Sequence, residues 1–411
     1  MNVSTDSIHS KPEATDLIIL TSEQDAIAAA EAFAARIRPG AAERDAAHAR
    51  PIAEIQDLCR TGLLGITVPR AYGGLETSVR TLVKVFHLIS AADPAIGQIP
   101  QSHFSHLENL RALGSDAQKN YFYADVLNGG LWGNALSERE TTGGLGNIQS
   151  RIRRTGGGTY LINGRKYYTT GALYARWIPV SVRDDEDRVC MVLVERHAPG
   201  VEIIDDWNCM GQRGTASGTA TFTDVAVRDE QIVPIWRMTT APTTRRAFGQ
   251  IMHIAIDIGI ADEALSDTIQ YIRTRSRGWH VANLSAAGDD PHVIRRIGEL
   301  KVQIEAAKAL LYHAADTFDA TTAGEPSENA IVDMAMIVSA AKAACSAVAV
   351  QVSSDLFALT GTSAADEKWN LNRHWRNART HTLHDPEAWK YYYIGDYHLN
   401  GRRPPRGALI A

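Results

Sequence analysis

The sequence lacks the features of a disulfide-rich, metal-binding or membrane protein. It has four cysteines in 411 residues, and no two of them form a Cys-x-x-Cys pair. This favours neither a disulfide framework nor a zinc site, and it predicts a cytoplasmic protein. The most apolar stretch, residues 330–352, is interrupted by Asp333 and Lys342. It predicts a buried helix of a bundle, so we expect no membrane partner.

The chain also lacks a large excess of charge of either sign. Its 42 basic and 47 acidic side chains give a formal net charge of −5. Such a balance does not favour nucleic acid as a partner. In addition, no Gly-x-Gly-x-x-Gly motif follows a strand-like segment, which argues against a nicotinamide site of the Rossmann type.

Helical signals dominate the first part of the chain. Residues 1–20 mix charged and polar side chains without an apolar core, and they predict a flexible N-terminus. Ser22 and Ser115 are suited to cap helices. Apolar side chains between residues 77 and 92 recur at steps of three and four, as on an amphipathic helix. We therefore predict an N-terminal helical domain over residues 21–129.

Strand-like runs replace the helical pattern over residues 130–238. Residues 159–162 and 166–169 flank Asn163-Gly164, a pair that favours a hairpin with a two-residue turn. Further strand-like runs lie at 177–182, 189–194, 201–204, 218–222 and 226–227. Several short strands at regular spacing predict a small β-barrel or β-sandwich.

Long helices return in the last part, over residues 239–411. The runs 245–277, 291–320 and 327–359 are each long enough for a bundle, and a shorter run follows at 369–382. They predict a C-terminal four-helix bundle. The fold class expected is therefore α+β, with a helical domain, a β-domain and a helical bundle in that order.

Four segments in this order resemble the acyl-CoA dehydrogenases. They read GLLGITVPRAYGG from residue 62, NALSE from residue 134, NGRKYYTT from residue 163 and MGQRGTAS from residue 210. Each segment alone is weak, but the ordered set covers about residues 22–401. The resemblance implies the acyl-CoA dehydrogenase fold, assembled as a homotetramer.

The same resemblance implies a flavin site. Leu136 and Ser137 would hold the pyrimidine edge of the ring, while Tyr168 and Thr170 would cover the ring and reach its N5 atom. Arg275 would reach the flavin phosphate of a neighbouring subunit, since a guanidinium group forms paired bonds with phosphate. An isoalloxazine ring needs such donors together with apolar faces. Taken alone, Ser and Thr on strands are ordinary strand residues.

Two departures argue against an acyl-CoA dehydrogenase proper. The catalytic Glu of the short- and medium-chain enzymes aligns with Asp385, which is one methylene shorter and is followed by Pro386. Phe357 stands where the family uses a Gln to hold the adenine half of a neighbour's FAD. The second departure favours FMN over FAD. An FAD-dependent dehydrogenase with Asp385 as the base remains an alternative.

The C-terminal segment resembles the branch of this fold that uses dioxygen, the sulfur acquisition oxidoreductases and dibenzothiophene monooxygenase. The resemblance rests on residues 373–386, Trp389-Lys390 and Asn400-Gly401. It implies a two-component monooxygenase that uses reduced FMN (FMNH2) and dioxygen on a small organosulfur or aromatic sulfur compound, through a flavin hydroperoxide. A separate NAD(P)H-dependent flavin reductase would supply the reduced flavin.

The resemblance also assigns six residues to chemistry or to substrate: His384, His103 and Asn134 as catalytic residues, and Trp207, Ser217 and Phe104 at the substrate. A histidine titrates near neutrality, so it can donate or accept the proton of the reaction. His381 and His106 remain alternatives to their neighbours His384 and His103, and a histidine at a helix end is also a common structural feature. A non-catalytic flavin-binding relative is a third possible function.

Overall fold

The computed structural model describes residues 17–139, 147–240 and 243–405, so most of the N-terminus predicted to be flexible lies outside the described residues. The first group of helices is α1 Glu23–Ile37, α2 Ala41–Ala46, α3 Ile52–Arg60, α4 Val79–Ala92, α5 Pro94–Gln98, α6 Gln101–Leu113 and α7 Asp116–Leu127. The strands are β1 Arg151–Gly156, β2 Thr159–Lys166, β3 Trp177–Arg183, β4 Val189–Glu195, β5 Val201–Ile204, β6 Thr219–Arg228 and β7 Ile232–Val233. The second group of helices is α8 Arg245–Thr274, α9 Pro291–Thr322, α10 Glu328–Thr360, α11 Asn372–Thr382 and α12 Glu387–Asn400.

The N-terminal helices begin where the capping residues predict. The hydroxyl of Ser22 accepts a hydrogen bond from the backbone N–H of Asp25 at the start of α1. Ser115 and Gln118 form a reciprocal capping box at the start of α7. The apolar face of α4 is buried, and the helix packs against α1 on one side and α8 on the other. The first group of helices is thereby fixed to the C-terminal bundle.

The strands form one seven-stranded mixed sheet in the order β5-β6-β2-β1-β3-β4-β7. The pair β1 and β3 is parallel, and the other neighbours are antiparallel. Strands β3 and β4 are buried along almost their whole length, as their continuous apolar runs require. The sequence predicted either a small β-barrel or a β-sandwich. In the structure, the β-domain is built on this single sheet.

The hairpin predicted at Asn163-Gly164 is wrong, because β2 runs through both residues. The turn between β1 and β2 lies instead at residues 156–158, three glycines with positive φ. At Gly164 a side chain would meet Ser150, since a Cβ would lie 2.1 Å from its Oγ atom. The side-chain amide of Asn163 donates to Asp224 across the sheet at 2.8 Å. Within β2, Gly164 therefore allows the close approach of Ser150, and Asn163 bonds across the sheet.

The C-terminal bundle is built on three long helices, α8, α9 and α10, with α11 and α12 packed against α10. Helix α8 ends at Thr274, three residues before its predicted end, and α12 was not predicted. By length and composition α10 could cross a membrane, but 56% of its most apolar window is buried inside the protein. Lys342 in the middle of α10 is buried as well. Such burial is typical of the core helix of a bundle.

Candidate active site

Asn134 links α6 to the segment that follows β2. Nε2 of His106 donates to the Asn134 side-chain oxygen at 3.2 Å, and the Asn134 amide donates to the carbonyl of Tyr168 at 3.2 Å. The amide of Asn109 lies 3.4 Å from Nδ1 of His106 and can only donate, so His106 carries its proton on Nε2. Burial, helped by the charge of Arg245, lowers the pKa of His106 to about 3. This neutral histidine therefore orients Asn134.

Tyr168 presents an aromatic side chain to solvent from an unusual backbone conformation. Its φ is +58°, which costs a residue other than glycine roughly 1–3 kcal/mol, and its ring is half exposed. The ring centroid lies 6.1 Å from that of Trp207 in an edge-to-face arrangement. Trp207 is fixed in turn, because its indole N–H donates to the carbonyl of Gln212 at 2.9 Å. Tyr168 and Trp207 form an aromatic wall beside Asn134.

Three hydroxyl groups form a chain next to this wall. Thr215 donates to the carbonyl of Gln212 at 2.9 Å, so its oxygen is free only to accept from Ser217 at 2.7 Å. Because Ser217 uses its single hydrogen in that bond, Thr170 must donate to Ser217, at 2.8 Å. The order of donation leaves the oxygen of Thr170 as an acceptor at the outer end of the chain.

Leu136 and Ser137 lie beside β3, where Ala135 pairs with Val180. Their carbonyls are used: that of Leu136 accepts from Lys166 at 3.3 Å, and that of Ser137 accepts from the backbone of Tyr167 at 2.9 Å. Among the described residues, their N–H groups donate to no backbone carbonyl. Two unused donors at this position fit the requirement of a flavin pyrimidine edge.

His103 and Phe104 lie in the core of the N-terminal helical domain. Nε2 of His103 donates to the carbonyl of Leu64 at 2.9 Å, while Nδ1 accepts the backbone N–H of Trp132 at 3.1 Å. The ring is fully buried, and burial lowers its pKa to about 4. Phe104 packs on Phe86 with ring centroids 5.6 Å apart. Both nitrogens of His103 are occupied, and Phe104 packs in the core. These surroundings do not support the catalytic role predicted for His103 or the substrate contact predicted for Phe104.

His384 and Asp385 form a second polar group, in the loop between α11 and α12. Nδ1 of His384 lies 3.2 Å from Asp385, and 49% of the His384 side chain is exposed. Asp385 is buried and lies 3.7 Å from Nζ of Lys390. Burial raises the pKa of Asp385, but the hydrogen bond from His384 and the charges of His384 and Lys390 outweigh burial and lower it. A carboxylate with a depressed pKa is a weak general base.

Sequence reasoning missed two residues that lie behind His384, His253 and Asp257 on α8. The ring of His253 lies 4.2 Å from that of His384, centroid to centroid, and is tilted by 33°. Its Nδ1 is 2.9 Å from Nε2 of His381, and Nδ1 of His381 is 2.5 Å from Asp257. His253 and Asp257 are four residues apart in an otherwise apolar run, so they share a helix face. That spacing was the available signal.

The residues around Asn134 and those around His384 approach each other at the start of α8. The charge of Arg245 helps to lower the pKa of His106. Burial lowers the pKa of Arg246, and the charge of Asp385 acts in the opposite direction. The side-chain amide of Gln101 donates to the carbonyl of Gly249 at 3.3 Å and fastens α6 to α8. Asn134, through His106, and Asp385 are thus both near the start of α8.

Arg275 lies away from this end. It follows the last residue of α8, is exposed, and stacks on Trp369 with 3.9 Å between its guanidinium carbon and the ring centroid. Twenty-two residues separate it from His253, about 33 Å at the helical rise. Phe357 packs beside it in a cluster with Tyr271 and Trp369. Arg275 is therefore too distant to touch a small group bound between the β-domain and His384 of its own chain.

Comparison with known proteins agrees with this geometry. Models of the acyl-CoA dehydrogenase N-terminal, middle and C-terminal domains match residues 21–130, 133–225 and 251–386. Dibenzothiophene monooxygenase of Rhodococcus erythropolis is 30% identical over 405 residues, covering 94% of this chain and 95% of the relative. A probable FMNH2-dependent monooxygenase, SfnC, of Pseudomonas putida is 29% identical over 391 residues, covering 93% and 97%.

A solved structure shows the same arrangement in three dimensions. The crystal structure of FMN-bound TdsC from Paenibacillus sp. A11-2 superimposes with a TM-score of 0.89 at 27% identity, covering 94% of this chain and 100% of that one. The three domains, their order and the full-length similarity to a monooxygenase agree. The chain belongs to the flavin-dependent monooxygenases of the acyl-CoA dehydrogenase superfamily, the family of dibenzothiophene monooxygenase.

Proposed function

We propose that the protein is the oxygenase component of a two-component, FMNH2-dependent monooxygenase that oxidises a small organosulfur or aromatic sulfur compound in sulfur acquisition in the cytoplasm. Its relatives are named for monooxygenation of dibenzothiophene and for dependence on FMNH2, and TdsC was solved with FMN. Reduced FMN, when bound, supplies the two electrons that convert one atom of dioxygen to water while the other enters the substrate. A separate NAD(P)H-dependent flavin reductase delivers that FMNH2.

The direction of the hydroxyl chain is the observation that carries the proposal. Thr215 and Ser217 use their hydrogens within the chain, so Thr170 donates to Ser217 and keeps an acceptor at the outer end of the chain. A reduced isoalloxazine ring carries a hydrogen on N5, whereas the oxidised ring carries none. An acceptor at Thr170 therefore suits the reduced form. Ser217 and Trp207 lie beside it, where substrate binding was predicted.

The other residues of the β-domain that were predicted to bind flavin would contact the rest of the isoalloxazine ring. The free N–H groups of Leu136 and Ser137 would hold the pyrimidine edge, and the exposed ring of Tyr168 would cover one face. Asn134 holds the carbonyl of Tyr168, so it fixes the backbone that carries both Tyr168 and Thr170. We assign Asn134 to this positioning of the flavin site.

His384 would handle the proton of the reaction. Half of its side chain is exposed, Nδ1 faces Asp385, and Nε2 has no side-chain or backbone partner among the described residues. A histidine at such a position can donate a proton in one step and accept it in another. The depressed pKa of Asp385 disfavours the rival function, in which Asp385 would remove a carbon-bound proton from an acyl-CoA.

FMN is favoured over FAD by the cluster at the end of α10. Phe357 packs with Tyr271 and Trp369, where FAD-dependent relatives would hold the adenine half of a neighbour's cofactor. Anaerobic equilibrium titration with reduced FMN and reduced FAD tests the assignment. We expect tighter binding of reduced FMN; equal or tighter binding of reduced FAD would contradict it.

A homotetramer is part of the proposal. Large apolar side chains are at least half exposed on α9 and α12: Ile294, Val302, Trp389, Tyr391 and Tyr392. Exposed apolar side chains on neighbouring helices are typical of subunit contacts. A subunit boundary would also bring Arg275 of one chain to the flavin phosphate of another.

A further inference from the structure

A chain of buried polar groups leads from the centre of the bundle to His384. Asp257 is fully buried and divides its two oxygens between different partners. One accepts from His381, and the other accepts from Nζ of Lys342 at 2.7 Å and from the hydroxyl of Ser346 at 2.8 Å. Three helices, α8, α10 and α11, thus contribute to one satisfied cluster.

The charge of Asp257 sets the proton positions along the chain. Burial raises the pKa of Asp257, but the charge of Lys342 and the hydrogen bonds from His381 and Lys342 outweigh it, so the carboxylate is ionised. An ionised carboxylate only accepts, so His381 carries its proton on Nδ1. Burial lowers the pKa of His381, although Asp257 acts in the opposite direction, so His381 is neutral near neutral pH. Its Nε2 must then accept, and the partner at 2.9 Å is Nδ1 of His253. His253 therefore also carries its proton on Nδ1, directed into the bundle.

His253 is surrounded by groups that keep it neutral. His381 faces it from α11, Lys342 from α10, and His384 and Asp385 from the loop before α12. Burial, with His384, His381 and Lys342 as neighbours, holds the pKa of His253 well below its ordinary value, although Asp385 acts in the opposite direction. A neutral ring therefore lies against the exposed ring of His384.

We propose that Asp257 is a positioning residue of the oxygenation site, which acts through His381 and His253 to hold the ring of His384 and to keep the proton of the reaction on His384. The inference rests on the proposed function for the role of His384. The protonation of His381 and His253 on Nδ1 does not depend on that function. A buried ion pair between Lys342 and Asp257 gains little stability over apolar side chains of the same volume, so packing alone does not explain the cluster.

The substitution Asp257→Asn reverses the chain at constant shape. Lys342 can only donate, so the Asn oxygen must face Lys342 and its amide must donate to His381. His381 would then move its proton to Nε2, and His253 would do the same. The matched control is Ser346→Ala, which removes a hydrogen bond from the same carboxylate but leaves the histidine order unchanged.

Nitrogen-15 spectra of the histidines in the full-length protein test the proposal without flavin or substrate. We expect His381 and His253 to be protonated on Nδ1 in the wild type and in Ser346→Ala, and on Nε2 in Asp257→Asn. Protonation of either ring on Nε2 in the wild type would overturn the proposal, whether or not the Asn variant folds.

Turnover with FMNH2 gives the second measurement. In Asp257→Asn we expect kcat to fall by about 10²–10⁴-fold, the range for loss of a positioned proton-transfer group, with unchanged affinity for FMNH2. Equal losses in Asp257→Asn and Ser346→Ala, with the wild-type pH profile in both, would assign Asp257 to stability alone. A wild type with the expected tautomers but no oxygenation would refute the proposed function and leave the tautomer order standing.

Discussion

At the scale of single residues, the proposed flavin site depends on the hydroxyl of Thr170. Because its oxygen is left as an acceptor, it can bind the N5 hydrogen of reduced FMN. We predict that Thr170→Val weakens binding of reduced FMN by about tenfold, the effect of one hydrogen bond, and changes binding of oxidised FMN much less. Anaerobic and aerobic titrations of the same protein measure both.

Thr170→Ser is the matched control, since it keeps the hydroxyl and removes only a methyl group. It should bind both forms nearly as the wild type does. Equal losses for reduced and oxidised FMN in Thr170→Val would contradict a contact with the N5 hydrogen, and a larger loss for oxidised FMN would show that Thr170 donates to N5.

Residues of the site could be predicted from the sequence where a motif surrounds them. Thr170, Ser217 and Tyr168 lie in such motifs, and the structure places them together. His253 and Asp257 could not be identified as site residues from the sequence, because the direction of their hydrogen-bonded chain depends on which helices pack together. The surroundings of His103 could not be predicted either, since a buried histidine bound to two backbone groups looks the same in sequence as a catalytic one.

At the scale of elements, His103 joins α6 to Leu64, in the segment after α3, and to the entry of the β-domain at Trp132. Removing its ring leaves a buried carbonyl and a buried N–H without partners. We predict that His103→Ala lowers the free energy of unfolding by about 2–5 kcal/mol, measured by thermal or denaturant unfolding. His313→Ala, at an exposed position on α9, should stay within about 0.5 kcal/mol of the wild type.

His103 also makes stability depend on pH. Burial lowers its pKa from 6.5 to about 4, so between these values the unfolded chain binds a proton that the folded chain does not. Stability from this group is present above pH 6.5 and is lost as the pH falls towards 4. His103→Gln can keep both hydrogen bonds without titrating, so its stability should fall less steeply over this range. Identical slopes for the two proteins would rule out a neutral buried His103.

Elements were predictable where local signals and packing agree. The caps at Ser22 and Ser115 and the long bundle helices follow from local chemistry that the fold does not override. The Asn163-Gly164 hairpin failed because the close approach of Ser150, a long-range contact, decides the conformation there. Helix α12 was missed because its aromatic run has no clear helical periodicity.

At the scale of the whole molecule, the position of Arg275 allows a test of the proposed homotetramer. It lies about 33 Å along α8 from His253, so any flavin phosphate that it binds belongs to a site built mainly by another subunit. We predict that Arg275→Ala weakens FMNH2 binding by roughly ten- to a hundredfold and leaves secondary structure unchanged. Arg273→Ala is the control, because Arg273 is an exposed arginine at the same helix end.

Mixed oligomers sharpen this test. Subunits carrying Arg275→Ala are mixed with subunits altered at Ser137 and Thr170, and subunit exchange is verified. If sites are shared, some sites in the mixture combine both defects and others have neither, so a fraction should regain normal affinity. No recovery after confirmed exchange would mean that Arg275 serves its own chain or no flavin.

The central claim, that the protein transfers one atom of dioxygen to an organosulfur compound with electrons from FMNH2, is tested most directly with oxygen-18. The protein is supplied with FMNH2 by a separate flavin reductase and offered dibenzothiophene and a small alkyl sulfide under labelled dioxygen. The account predicts a product that carries one labelled oxygen atom and forms only when FMNH2 is supplied. Oxidation of an acyl-CoA with FAD, and no labelled product from any organosulfur compound, would contradict it.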